Sequence, residues 1–478
     1  MRRAFLLATL AALVPLAAGL GACASLFAKP AWEEPPTLVS DAPVAPADHL
    51  HRAMLENGMH TIVLEDPRLP RVVLGVAFRR GESTLPPESA GLASYTAELM
   101  ERGAGNRGAL EFAHAVDRLG ATLTASAGWD SLTVVATGLS RDRDTLLDLL
   151  ADVVLRPRFD AAEAKRARGE MLAALEQAKA DPTTLTSWYT AKAVYGGHRF
   201  GLPLSGTPET IARLDAGAAR AFHARIAMPN DAIFFASGDV EPGSLLGAVR
   251  ARFGAWAQGT VADTGAPPPA PAPPARKIVV VDRPDMVQTR ITVSHDGISR
   301  TAEDRVAVAL LNSVIGGGGF SSRLMASLRS DEGLTYSVST DFIMRRSPGP
   351  FVASTFTRVP ETRRTLDLLL KELERGRTDP PSESELTWAR TLAIGSFAMG
   401  LETSTAVITS LVDLDVYGLP DDSLDTYRSR VRAVTPEDAA VAAREHLHPD
   451  RAAIVLVGPA SELVKQVQDL GPVEVVEP

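Results

Sequence analysis

The side chains best suited to hold a metal or move a proton are nine histidines: His49, His51, His60, His114, His198, His223, His295, His446 and His448. No two of them stand four residues apart with a glutamate between, the spacing that puts two imidazoles on one helix face beside a general base. Glu445-His446-Leu447-His448 comes nearest. Its i, i+2 spacing sends the imidazoles to different faces, and the passage reads as a polar helix end before Pro449. His114, on an amphipathic stretch, reads as solvated. The single cysteine, Cys23, rules out a disulfide framework and a Cys-rich zinc module. There is no Gly-x-Ser-x-Gly nucleophile elbow. Gly316-Gly317-Gly318-Gly319-Phe320-Ser321-Ser322-Arg323 carries no closing lysine and is not a phosphate-binding loop. A zinc site built from this chain alone is not visible.

The remaining composition narrows the class. With 49 basic and 58 acidic residues the formal charge is −9, so no nucleic-acid partner held by phosphate neutralisation is expected. An apolar content of 45% excludes disorder as the main state. A length of 478 residues suits two or three domains. Residues 1–22 read as a leader: Arg2 and Arg3, an apolar run from Phe5 to Leu20 interrupted by Pro15, and small residues before Cys23. Leu20-Gly21-Ala22-Cys23 resembles a bacterial lipobox, whose cysteine thiol takes a diacylglyceryl group after cleavage. Cleavage removes two arginines and no acid, taking the formal charge from −9 to −11. Ala24, rather than Asp, follows the cysteine. By resemblance to bacterial sorting rules, this points to a lipid-anchored periplasmic protein of the outer membrane. Residues 23–48, rich in Pro and Ala, read as a flexible tether.

A second low-complexity stretch, residues 259–276 with the cluster Pro267–Pro274, reads as a linker. It separates a domain at 49–258 from one at 277–462, leaving a tail at 463–478. The two share an order of elements. In the first, Val72–Phe78 is a strand, then come helices at Ala90–Arg102 and Leu110–Leu119. Strands Ala121–Ala127 and Ser131–Gly138 follow, with helices Arg141–Val153 and Asp160–Lys179 and a closing strand before Gly238. In the second, strand Thr289–Ser294 is followed by helices Ala302–Ile315 and Ser321–Ser330. Strands Thr335–Phe342 and Gly349–Thr357, helices Pro360–Arg375 and Ser382–Ala398, and a closing strand before Gly458 complete it. The expectation is an α+β chain of two duplicated domains, each a mostly antiparallel sheet with helices packed on one face.

Three passages then resemble the pitrilysin/insulinase family of zinc metallopeptidases: Glu56-Asn57-Gly58-Met59, Gly91-Leu92-Ala93 opening a helix, and Gly317-Gly318-Gly319-Phe320-Ser321-Ser322-Arg323-Leu324 with Leu328-Arg329 and Gly333-Leu334-Thr335-Tyr336. Active members resemble one another in Gly-Leu-Ala-His-x-x-Glu-His, with two zinc-ligating histidines and a glutamate base. This chain departs there. Ser94 and Glu98 stand where the histidines would be, and Ala97 where the base would be. The third ligand, a glutamate on the long helix, would fall near Ala173 or Ala174. Glu170 and Glu176 lie nearby but read as off register and solvated. The resemblance therefore implies a degenerate zinc motif, no metal on this chain and no hydrolysis by this half.

The second half keeps what the resemblance implies for substrate contact: an arginine and a tyrosine seven residues apart, Arg329 and Tyr336. Phe320, Leu324 and Leu328 recur every four residues and predict one buried stripe. Arg329 falls off that stripe, Gly333 allows the left-handed turn that ends a helix, and Tyr336 opens the next strand. Guanidinium and phenol would meet at one end of the sheet, where both can donate to a peptide carbonyl. The alternative roles are a helix-end cation for Arg329 and a half-buried strand aromatic for Tyr336. Gly317, Gly318 and Gly319 read either as a flexible link or as a mobile wall of the peptide site.

The resemblance implies a non-catalytic, substrate-binding subunit. A separate zinc-bearing chain of the same fold would be its partner, and short or unfolded periplasmic peptides the substrate. The alternative is a structural or binding subunit of a membrane-associated assembly with no proteolytic role.

Overall fold

The computed structural model describes residues 42–261 and 275–478. The leader, Cys23, most of the tether and the Pro267–Pro274 cluster lie outside the described residues. Two six-stranded sheets organise the chain. The first holds β1 (Leu50–Met54), β2 (His60–Glu65), β3 (Arg71–Phe78), β4 (Thr122–Ala127), β5 (Leu132–Leu139) and β6 (Ala232–Gly238), in the order β1-β2-β6-β3-β5-β4. The second holds β7 (Lys277–Asp282), β8 (Gln288–Asp296), β9 (Val338–Phe342), β10 (Pro350–Arg358), β11 (Ala453–Gly458) and β12 (Val473–Val476), in the order β9-β10-β8-β11-β7-β12.

Five strands of each sheet superpose in order and direction. In both, the closing strand is parallel to the first long strand, β6 with β2 and β11 with β7. It is antiparallel to the next, β3 or β8, which pairs in turn with a long hairpin strand, β5 or β10. The duplicated, mostly antiparallel α+β architecture read from the sequence is thus present. Outside this shared core, the residues expected as a tail form a helix, Ala460–Val467, and the edge strand β12, parallel to β7. At the other end, the backbone N–H of Val44 donates to Asp425 at 2.7 Å, so the last tether residues lie against the second half.

Helices on one face describe only part of the packing. Alternate residues of β3 point to opposite sides. Val72, Leu74, Val76 and Phe78 meet the first half's own helices, whereas Val73 and Ala77 meet Val407, Ile408, Leu411 and Val412. Those four belong to a helix of the second half, Ser404–Tyr417. In exchange, helix Pro182–Tyr195 of the first half packs Leu185, Ala193 and Val194 on Val279, Val281, Val455 and Val457 of the second sheet. Each half covers the other's open sheet face, which is why β3, β6 and β11 read as almost continuous apolar runs. Polar ties reinforce the exchange. Asp415 is 2.9 Å from His60 Nδ1 and 2.5 Å from the Arg79 guanidinium. Asp130 accepts from Ser83 Oγ (2.9 Å), the Arg346 backbone N–H (2.9 Å) and the Tyr417 hydroxyl (3.2 Å). Among the described residues no single helix is long and apolar enough to cross a membrane.

Candidate substrate-contact site and degenerate metal helix

The helix α1 (Leu92–Met100) starts at Gly91, whose φ of 89° is left-handed. A Cβ there would sit 2.6 Å from the Ser205 carbonyl oxygen, so only glycine fits. The helix N-terminus is held by Glu82, which is fully buried. Its carboxylate accepts from the backbone N–H groups of Gly91 (3.1 Å) and Ser94 (3.0 Å) and pairs at 2.7 Å with the buried guanidinium of Arg199. The carboxylate thus meets the orphan donors and positive end of the helix. Burial pulls the Arg199 guanidinium below its usual range, against the upward pull of Glu82. Ser94 turns its hydroxyl toward the same carboxylate at 3.4 Å. Ala97 is buried, and Tyr95 fastens α1 to the long helix α2 (Ala161–Ala178) by donating to the Ala164 carbonyl at 2.7 Å.

Between α1 and α2, beside the positions that the resemblance assigns to the metal motif, a side-chain cation is held. The Arg102 guanidinium is 2.5 Å from Glu98, 2.5 Å from Glu170 and 3.8 Å from Glu163. Partial burial works against its charge, but the hydrogen bonds it donates to Glu170 and Glu98 raise its pKa. Glu170, expected as merely solvated, is therefore an ion-pair partner one turn before the alanines. Ala173 and Ala174 are both exposed. Neither helix carries a histidine. Three carboxylates that share the Arg102 cation, with no imidazole, do not fit a zinc ion. Among the described residues the one cluster of potential ligands within mutual reach is elsewhere: Asp304, Glu445 and His446, with His446 Nε2 2.6 Å from Asp304.

The second half places its predicted residues differently. The helix Arg305–Asn312 widens into a π-type turn at Ser313–Gly317, and a second π-type turn covers Met325–Asp331. Such widenings re-aim side chains and recur at functional sites. Leu324 and Leu328 are buried as expected, but Phe320 is 72% exposed and does not join their stripe. The break in helix between Gly316 and Ser322 turns it outward. Its ring instead flanks Arg329, whose guanidinium carbon is 4.5 Å from the Phe320 centroid and 4.7 Å from the Tyr336 centroid. Tyr336 is 71% exposed, in a bend two residues before β9, so it is not a half-buried strand aromatic. Gly333 (φ 61°) makes the expected left-handed turn, and its N–H donates to the Arg329 carbonyl at 3.1 Å. The structure thus brings Arg329 and Tyr336 together on the surface and adds Phe320, which the fourfold spacing had assigned to the core.

The glycine run is packed rather than slack. A Cβ on Gly316 would lie 2.7 Å from Thr340 Oγ1, and one on Gly318 would lie 2.2 Å from the Trp388 ring and 2.4 Å from the Ser313 carbonyl. Gly317 and Gly319 are exposed beside the stack, Gly319 at a φ of 68°. The following segment is tied to the long helix α3 (Glu383–Gly400) through Arg323. Its guanidinium donates to Glu385 at 2.7 and 2.9 Å and to the carbonyls of Asp379 and Pro380. The fork holds the Glu385 carboxyl down to about 2.

Comparison with known proteins identifies the family and the fold. Residues 61–208 match the insulinase (peptidase family M16) sequence profile, and residues 213–392 match the peptidase M16 inactive domain. An uncharacterized zinc protease of Streptomyces coelicolor is 25% identical over 418 residues, covering 86% of this chain and 90% of its own. The crystal structure of a peptidase M16 inactive domain from Pseudomonas fluorescens superposes with a TM-score of 0.79 at 27% identity, covering 86% of this chain and 98% of its own. The periplasmic protease PqqL of Escherichia coli shares the fold, with a TM-score of 0.73 at 14% identity, over 89% of this chain and 48% of its own.

Proposed function

Because the chain belongs to the insulinase (M16) peptidase family, we propose that it is the non-catalytic, substrate-binding subunit of a two-chain zinc peptidase acting on peptides in the periplasm. The observation that carries the reading is the exposed Phe320–Arg329–Tyr336 stack, set on a half whose companion holds an arginine in place of a metal.

In this reading the work divides between chains. The partner, a zinc-bearing relative of the same fold, supplies the metal-activated water. Arg329 and Tyr336 bind a peptide carbonyl oxygen. The flanking rings keep the guanidinium plane fixed, so its edge N–H groups face outward, and the phenol adds a second donor. Donors preset at the position where negative charge develops favour the transition state over the ground state. The exposed edge at Gly317 and Gly319, with Gly318 packed behind it, leaves room for peptide backbone to approach. A lipid on Cys23 would hold the pair at the outer membrane through residues 23–48.

The test is co-purification with a zinc-bearing family member and cleavage of a quenched fluorescent peptide. The isolated chain retains no zinc and cleaves nothing. Arg329→Ala with Tyr336→Phe lowers paired cleavage by roughly 100- to 1000-fold without weakening association. Zinc-dependent turnover by the isolated chain, or full paired activity in the double variant, would overturn the reading. Stable association with no cleavage at all would make the chain a structural or binding subunit instead.

A further inference from the structure

The exchanged helix Pro182–Tyr195 meets the second sheet through two different surfaces. Its apolar residues cover β7 and β11. A second stripe, Thr183, Thr186, Ser187 and Thr190, faces β8 and β10 across a cavity of about 190 Å³. The opposite wall is also hydroxyl-rich, with Thr292, Ser294 and Ser354, and two arginines, Arg290 and Arg345, line the same space. A helix–sheet contact inside a protein is ordinarily apolar, so this concentration of donors needs a reason.

Thr186 and Ser294 donate to the Pro182 and Phe351 carbonyls, each at 2.6 Å, but other donors are unsatisfied. Nε and Nη1 of Arg345, Nε of Arg290 and Oγ1 of Thr190 are all buried without a hydrogen-bond partner. Thr190 is only 5% exposed. Arg345 is wedged between rings, its guanidinium carbon 4.1 Å from the Trp129 centroid and 4.5 Å from the Phe200 centroid. Stacking fixes the plane of the fork but leaves its edge unanswered. The carboxylate whose charge acts on Arg345, Asp130, is already committed to Ser83, Arg346 and Tyr417. A guanidinium N–H buried without an acceptor is costly, and Arg290 and Arg345, each half-buried as a whole, both have one.

We propose that this cavity is a binding site for a small divalent oxyanion of phosphate size, held between Arg290 and Arg345 and by the hydroxyls of the exchanged helix. Guanidinium forks match tetrahedral oxyanions, and the volume is more than enough for such an ion. The helix comes from the first half and the sheet from the second, so the bound ion fastens the two halves together. The site is remote from the Phe320–Arg329–Tyr336 stack along β9: Tyr336 precedes that strand and Arg345 follows it.

The test is thermal unfolding of the chain in phosphate, sulfate, acetate and chloride at matched ionic strength, with calorimetric titration of phosphate. The expected result is a saturable rise in Tm and measurable heat with phosphate and sulfate, and neither with acetate or chloride. Arg345→Met weakens the apparent affinity at least tenfold, and Arg290→Met does likewise. Thr190→Val, which keeps both charges and the helix, weakens it severalfold and covers the case in which an arginine variant fails to fold. Phosphate and sulfate also stabilise proteins generally by exclusion from the surface. A rise that does not saturate, or one of equal size in Thr190→Val and Arg290→Met, overturns the proposal. So does a saturable response to acetate equal to that for phosphate.

Discussion

The two halves repeat one sheet and one sequence of helices, yet they treat the same place in the repeat in opposite ways. In the first half the helix after β3 is closed in on itself. Glu82 and Arg199 bury an ion pair at its start, Tyr95 bonds it to α2, and Arg102 bridges three carboxylates at its end. In the second half the corresponding region is broken by two π-type turns and pushes the rings of Phe320 and Tyr336 into solvent on either side of a half-buried Arg329. One device is common to both. An arginine next to the site helix is clamped by a glutamate on the long helix that follows the hairpin, Arg102 by Glu170 and Arg323 by Glu385. In the second half the clamp supports an exposed surface. In the first, its arginine ties the two helices together through Glu98, Glu163 and Glu170.

The largest effect expected from this contrast is in the first half. Glu82→Ala leaves the Arg199 guanidinium buried without a counter-charge and frees two N–H groups at the start of α1. Breaking one side of a buried pair costs about 3–5 kcal/mol. Denaturant melts of the single variant, and of Glu82→Ala with Arg199→Met, measure it. The double variant recovers part of the loss. If this half is scaffold only, paired peptide cleavage under conditions where the variant stays folded is unchanged.

The second half answers with a smaller effect on stability but one that reaches the site. Glu385→Gln removes a charge-assisted fork from Arg323 and lowers stability by about 1.5–3 kcal/mol. The folded-state carboxyl lies at about 2, below its ordinary value of 4.5. Its contribution is therefore complete above pH 4.5 and is lost as pH falls from there toward 2. The variant lacks that part of the acid limb, which urea melts at stepped pH resolve. Because Arg323 anchors the segment leading to Arg329, paired cleavage falls as well, in contrast to Glu82→Ala.

Much of this was legible beforehand, and the failures have physical causes. The strands β3 and β8, with the hairpin and closing strand of each half, followed from alternation and closing-strand patterns, because local period and turn chemistry act within a few tens of residues, whereas β1, β2 and β7 were not read. The meeting of Arg329 and Tyr336 followed from the turn at Gly333. Phe320 was misplaced because fourfold spacing assumes a continuous helix, and the break at Gly316–Ser322 resets the phase. The helix exchange was not legible. Ser404–Tyr417 is apolar on the face it presents, but nothing in its periodicity says which sheet it covers. The Arg102 bridge left one sequence signal, Glu98 and Arg102 at i, i+4. The longer reach to Glu170 depended on how α2 lies beside α1. The strand Val473–Val476 is four residues of edge pairing, with two exposed side chains and too short to show alternation.

The smallest effect is the most direct probe of the bridge. Arg102→Met keeps the side-chain stem and removes the charge, leaving Glu98 and Glu170, both substantially exposed, beside Glu163. Exposed pairs contribute little, so stability should fall by only about 0.5–1 kcal/mol. The pH dependence is more telling than the size. Hydrogen bonding from Arg102 holds Glu170 below its ordinary carboxyl value of 4.5. The bridge therefore contributes fully above that value and fades as pH falls through the carboxylate range. In Arg102→Met the relation reverses. The neighbouring carboxylates repel one another, and mild acid relieves the repulsion, so the variant gains on the native chain as pH drops from 7 toward 4. Adding zinc to the variant distinguishes the two histories of this helix pair. If the arginine merely occupies a site that still has its ligands, the variant acquires tightly held zinc. If the ligands themselves are gone, as Ser94 and Glu98 at the histidine positions and the alanines at 173 and 174 indicate, its melting curve is the same with and without the metal.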